Sequence, residues 1–170
     1  MKIHFKITKE LLGKVHCDLA RPHAFASERV GFICVRAGTL GRGLVLLAAN
    51  YRAVADEDYL DNPEYGALMG PGAIRKALEH TLNVPVGMFH VHCHPHEGRP
   101  RFSRTDEREM RNFVPDFFNA RASLPHGALV LSRDNLDGYV WLSRRRGPLP
   151  ITKFTVVGQP MTVFYGGGDE

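Results

Sequence analysis

Cysteine is scarce in this chain: Cys17, Cys34 and Cys93 are the only three in 170 residues, and no two form a Cys-x-x-Cys pair. An odd number without pairing motifs argues against a disulfide framework and for a reducing compartment. Long apolar runs are missing too, since none approaches the roughly 18 residues that a membrane span requires. Residues 1–7, MKIHFKI, alternate polar and apolar and hold no signal-peptide core, so the expected compartment is the cytoplasm, with no membrane partner. Repeats and low-complexity blocks are absent. The excess of basic over acidic residues is small, +4. Arginines gather at Arg99, Arg101, Arg104, Arg108 and Arg111 and again at Arg144, Arg145 and Arg146, but without the interleaved aromatics of single-strand binders. That pattern favours solvated charge or an acidic protein partner over nucleic acid.

What is present suits one domain, residues 1–170, long enough to bury a substantial core. Residues 2–7 read as a strand. Thr8 then starts a helix whose Leu11, Leu12, Val15 and Leu19 share a face, and Arg21-Pro22 ends it. Residues 30–35 are continuously apolar, as in a strand buried on both faces. AGTLGRG (37–43) reads as a turn into a second strand, 44–49. Residues 50–72 lack periodicity and are rich in Asp, Glu, Pro and Gly; such long connections are more often functional than idle. Pro71 suits the first turn of a helix carrying Ile74, Ala77, Leu78 and Leu82 on its apolar side. A further helix over 103–120 should divide at Pro115. Strands are expected at 127–131, 138–142 and 152–157, and a loose tail at 164–170.

The chemistry concentrates in VPVGMFHVHCHPHEGRPRFSRTD, residues 84–106. In a strand, residues two apart share a face, so His90 and His92 present two imidazoles side by side at its end. A catalytic zinc site takes three protein ligands from imidazole and carboxylate groups and keeps a position for water; Asp106, carried back by the loop, completes such a set. Cys93 faces away in an extended segment and reads as a buried thiol. His94 and His96 continue the alternation, so His92 with His94 is the competing ligand pair. The strand register favours His90 with His92; the shorter gap to Ser103 favours the later pair. Ser103 and Asp106 also spell a capping box, which needs no chemistry to explain it.

The same stretch resembles the JAMM (MPN-plus, Mov34/PAD-1) metallopeptidases, whose motif is an upstream Glu, then His-x-His at a strand end, then Ser-x-x-Asp opening a helix. Gly87-Met88-Phe89-His90-Val91-His92 is similar to that family's strand, and Glu28-Arg29-Val30-Gly31 to its Glu-x-x-Gly. Two departures stand out: Cys93 replaces the Pro after the second His, and the gap before Ser103 has grown to ten residues. The resemblance spans roughly residues 25–145. It implies an MPN (JAB) domain, an α/β fold with a mixed β-sheet flanked by helices in a deaminase-like sandwich. It also implies one Zn2+ per chain held by His90, His92 and Asp106, with Glu28 carrying protons and Ser103 donating a hydrogen bond to the tetrahedral oxyanion.

The implied activity is hydrolysis after the terminal glycine of a ubiquitin-like protein. Small members with His-x-His-x-His and a Gly-Arg-Pro-x-Phe-Ser loop resemble those found with ubiquitin-like conjugation or sulfur-carrier systems, including antiviral defence ones. Activating and conjugating enzymes are the further partners so implied. A strand edge adjoining the metal is expected to receive the substrate tail, with residues 50–72 and the Arg99/Arg101 loop as its grip. Zinc deaminases need His-x-Glu and Pro-Cys-x-x-Cys, which are absent here. A non-catalytic MPN scaffold is the binding-module alternative, against which the complete ligand set argues.

Overall fold

The computed structural model of the chain describes residues 1–166. Its elements run β1 (Ile3–Thr8), α1 (Lys9–Leu19), β2 (Val30–Leu40), β3 (Gly43–Ala53), α2 (Pro71–Asn83), β4 (Gly87–Cys93), α3 (Arg104–Phe113), α4 (Phe117–Ala120), β5 (His126–Leu131), β6 (Leu136–Trp141), β7 (Leu149–Pro150), β8 (Lys153–Val157) and β9 (Thr162–Phe164). The strands form one nine-stranded mixed sheet, in the order β7-β6-β5-β4-β2-β3-β1-β8-β9. The fold is therefore α/β with helices on the sheet's faces, as expected. Among the described residues no helix is long and apolar enough to cross a membrane.

Local chemistry sets the helix starts. The Thr8 hydroxyl accepts from the Leu11 N–H at 3.1 Å, and Pro71 occupies the first turn of α2, where its missing N–H costs nothing. Pro115 ends α3 through a short 3-10 turn, Val114–Asp116, before α4. In β4 six successive residues are buried, because the strand is covered on both faces. Phe89 and Val91 point into the cluster beneath α1, with Phe5, Ile33, Leu129 and Phe154. The Phe5 ring is tilted against Phe89 and Phe154 at 5.9 and 6.0 Å, and each such buried ring contributes on the order of 2–3 kcal/mol. Met88 points the other way, to Phe32, Cys34, Ala73, Ala77 and Phe117 beneath α2 and α4. By the same alternation His90 and His92 face the side of α2, α3 and α4.

Several expectations change. β2 and β3 do not stop at residues 35 and 44; they run on as a long hairpin, Val30–Leu40 with Gly43–Ala53, closed by a turn in which Gly41 has φ 58. Residues 36–40 are exposed, so ladder hydrogen bonds rather than burial hold them, and AGTLGRG carries no apolar pattern to reveal that. Residues 50–72 are less irregular than expected: Tyr59 and Met69 form an antiparallel bridge, with the Leu60 N–H donating to Leu68 O at 2.9 Å. On α2 the buried positions are Ala73, Ala77 and Thr81, while Leu82 lies 57% exposed. Of the loose tail expected over 164–170, Phe164 instead ends β9 and the Gly166 N–H donates to Thr152 O; residues 167–170 lie outside the described residues.

Candidate metal centre

β4 lies between β2 and β5, antiparallel to the first and parallel to the second. Val30 pairs with His92 as the last partners of the β2–β4 ladder. Carried two residues further, the same register sets Glu28 opposite His94. β4 stays hydrogen-bonded to β5 slightly longer, with the His94 N–H donating to Leu131 O at 2.9 Å. The side chains of Glu28, Val30, His90, His92 and His94 thus project from one face. They meet Phe102, Ser103, Asp106 and Met110 across a cleft of about 590 Å³.

Within that cleft the side-chain ligand atoms of His92, His94 and Asp106 all lie within 4.8 Å of one another, a grouping that could hold a metal ion. Asp106 Oδ2 is 3.5 Å from His92 Nε2 and 3.9 Å from His94 Nε2. His90, expected as a ligand, is not brought into this group. It sits one step deeper in the strand, between the edges of Phe32 and Phe113, at ring distances of 5.9 and 5.1 Å. Residues two apart along a strand differ by about 6.6 Å in height, and the start of α3 comes back to the level of His92 and His94. Burial, then the neighbouring His92, pushes the pKa of His90 down to about 3, against a smaller opposing pull from Asp106.

His92 is 3% exposed and neither ring nitrogen has a hydrogen-bond partner; its 3.5 Å approach to Asp106 is no hydrogen bond. A buried polar group so left costs about 1–3 kcal/mol. Two imidazoles and a carboxylate are also a donor set that metals such as zinc take. The residues present therefore fit a bound metal. His94 is half-buried, and its pKa is lowered by burial and then by His92, against Glu28 and Asp106. For Asp106 partial burial pushes the pKa up, but the His92 imidazole and the bonds with Ser103 outweigh it and hold the carboxyl well below the usual carboxylate range.

Ser103 and Asp106 do form a capping box. The Ser103 N–H donates to Asp106 Oδ2 at 2.7 Å, and the Asp106 N–H donates to the Ser103 hydroxyl at 3.1 Å. The cap fixes Asp106 in front of the histidines, and the Ser103 hydroxyl, accepting from a backbone N–H, keeps its own proton. Glu28 is half-buried in the cleft wall. Its N–H donates to Gly66 O at 3.0 Å, and a Cβ on Gly66 would come within 3.1 Å of the Glu28 side chain. In Glu-x-x-Gly the glycine also has a physical reason, since a Cβ on Gly31 would collide with the Tyr51 ring.

Two further expectations change. β4 is paired along both edges up to His92, so an unpaired edge begins only beyond that residue, on the β2 side. Asn62 and residues 64–69 do line the cleft, but Arg99 and Arg101 do not; Arg99 is engaged by Asp137 at 2.7 Å. Cys93 packs against the α1 side of the sheet, and burial raises its thiol pKa. His126, which no motif signalled, is wholly buried beside this region. No family model matches the chain, and no curated protein matches it.

Proposed function

We propose that the chain is a zinc-dependent peptidase or isopeptidase of the JAMM type, with the metal held by His92, His94 and Asp106. The observation that carries this reading is the convergence of that ligand group with Glu28 and Ser103 on one cleft, around a buried histidine whose nitrogens nothing else satisfies. When bound, zinc supplies Lewis acidity and lowers the pKa of a water to about 7.

The chain's own groups supply the rest. The Glu28 carboxylate accepts a proton from the attacking water and returns it to the departing amine nitrogen, so that the amide bond breaks with protons balanced. The Ser103 hydroxyl donates to the carbonyl oxygen as it gains negative charge. Asp106 is oriented by its own helix cap, and the His90 ring packs beside His92 with Phe32 and Phe113. The cleft between residues 62–69 and α3 admits an extended chain, and a substrate tail ending in glycine needs least room beside the ligand group. The substrate class that suits it is a ubiquitin-like protein joined through its terminal glycine to a fused or lysine-linked partner.

The test is incubation with such a fusion and mass measurement of the products. Cleavage after the terminal glycine is expected, abolished by a zinc chelator and reduced to a small residual rate by Glu28→Gln with zinc retained. Intact fusion, or cutting that Glu28→Gln leaves unchanged, returns the chain to a metal-binding scaffold.

A further inference from the structure

The buried charge nearest the cleft is not in it. Arg29 follows Glu28 directly, is 2% exposed, and does not line the cleft. Its guanidinium donates three ways: Nε to Arg21 O at 2.8 Å, Nη2 to Pro22 O at 2.9 Å, and Nη1 to Asp56 Oδ1 at 2.8 Å. It also lies over the Tyr59 ring, 5.8 Å from its centre. Tyr59 in turn holds the next residue, its hydroxyl accepting from the Val30 N–H at 2.9 Å and donating to Val30 O at 3.2 Å. These contacts gather where they are needed, because the β2–β4 ladder ends at Val30. The backbone that presents Glu28 has no strand partner there and depends on Arg29, Tyr59 and the Gly66 carbonyl.

We infer that Arg29, acting with Asp56 and Tyr59, is a positioning residue for Glu28. A buried cation is costly unless paired and bonded, and this one spends its donors on two carbonyls and a carboxylate from separate segments. The planar fork is suited to that and an ammonium is not. The clamp also ties Glu28 to the cleft wall, since Asp56 and Tyr59 begin the segment whose residues 64–69 line it. A proton carrier displaced by an ångström loses about a hundredfold in rate, so a loosened clamp should be read at Glu28 and not at the metal.

This rests on the hydrolase reading above, and the experiment separates the two. Arg29→Lys is expected to lower kcat by about tenfold or more, with KM and zinc content unchanged. In a Glu28→Gln background the same substitution should change the residual rate less than twofold, because its effect passes through the group already removed. An equal loss in both backgrounds, or a loss of zinc, overturns the inference and leaves Arg29 a structural residue. If Arg29→Lys does not fold, Tyr59→Phe carries the same cycle. A second measurement needs no turnover: amide exchange of residues 28–30 should quicken in Arg29→Lys or Tyr59→Phe while β4 and β5 stay protected. Unchanged exchange at 28–30, or quickening spread evenly over the sheet, overturns the clamp. Should Glu28→Gln cleave as fast as the parent, the functional reading fails, and exchange alone decides whether the clamp holds this strand end.

Discussion

Two buried histidines on neighbouring strands show what separates a structural imidazole from one built to bind. His126, at the start of β5, is fully buried and spends both ring nitrogens: Nδ1 accepts from the Met88 N–H at 3.0 Å, and Nε2 donates to Arg121 O at 3.0 Å. Phe117 stacks on it and Phe118 meets it edge-on. His92, near the end of β4, is almost as buried and has neither nitrogen hydrogen-bonded, its Nε2 only approaching Asp106 Oδ2 at 3.5 Å. The sheet gives both the same apolar cover. What differs is the polar surroundings, which close around His126 and stop short at His92, with an aspartate and a second imidazole facing the gap. A buried donor left unmatched beside other ligand atoms is the signature of a partner supplied from outside the chain.

The largest expected effect breaks the pair apart. His92→Ala and His94→Ala should each remove the bound zinc and with it several kcal/mol of transition-state stabilisation, roughly a thousandfold or more in rate. His90→Ala and His126→Ala should keep the metal. Zinc measured in each purified variant decides it; a metal lost from His90→Ala but kept in His94→Ala would restore the deeper ligand pair. Next in size is Ser103→Ala, which should retain zinc and lose about 10²–10³ in kcat through the missing donor. Its lost cap should also lower stability by about 1 kcal/mol in denaturant melts. A full rate with the stability loss alone would make Ser103 a cap and nothing more.

The third expectation uses pH. Burial lowers the pKa of His126 to about 4, against a small opposing bond to the Arg121 carbonyl. The unfolded chain takes up this proton near pH 6.5, whereas the folded one holds out to about 4, so between those values the unfolded state binds more protons and stability rises with pH. The contribution, on the order of 3 kcal/mol, is complete above pH 6.5 and lost as pH falls towards 4. Melts at pH 7 and pH 4.5 should show a smaller acid loss in His126→Gln than in the parent; an equal loss in both would place the acid sensitivity elsewhere.

The sequence carried more of the site than of the fold around it. Strand alternation put the histidines on one face, and Ser-x-x-Asp marked both the start of α3 and the carboxylate it delivers. The choice between His90 and His94 was not legible, because it turns on how far α3 reaches back, a matter of tertiary height that strand spacing leaves open. His126 was silent because its partners are backbone atoms of Met88 and Arg121, which have no residue signature. Arg29 was only the second residue of the Glu-x-x-Gly run; its carbonyl acceptors at Arg21 and Pro22 exist only once the chain has turned. The extended β2–β3 hairpin escaped for a related reason, since exposed ladder bonds leave no hydrophobic period.

The smallest effect is the sharpest comparison. In protein stripped of metal, His92→Leu removes two unsatisfied nitrogens and puts a side chain of similar bulk against Phe102, whose ring lies 5.9 Å from the imidazole. No hydrogen bond is lost, so the change should leave unfolding stability within about 1 kcal/mol of the parent or raise it. His126→Leu, by contrast, strands the buried Met88 N–H, at a cost of about 1–3 kcal/mol, and takes from the Arg121 carbonyl one of its two donors. Adding zinc should invert the order, stabilising the parent and His126→Leu but not His92→Leu, because a ligand that binds only the folded form raises its stability with concentration. The measurement is denaturant unfolding of all three proteins with and without zinc. A metal-free His92→Leu that falls as far as His126→Leu would mean that His92 is held by contacts of its own, and its bare nitrogens would no longer argue for a metal.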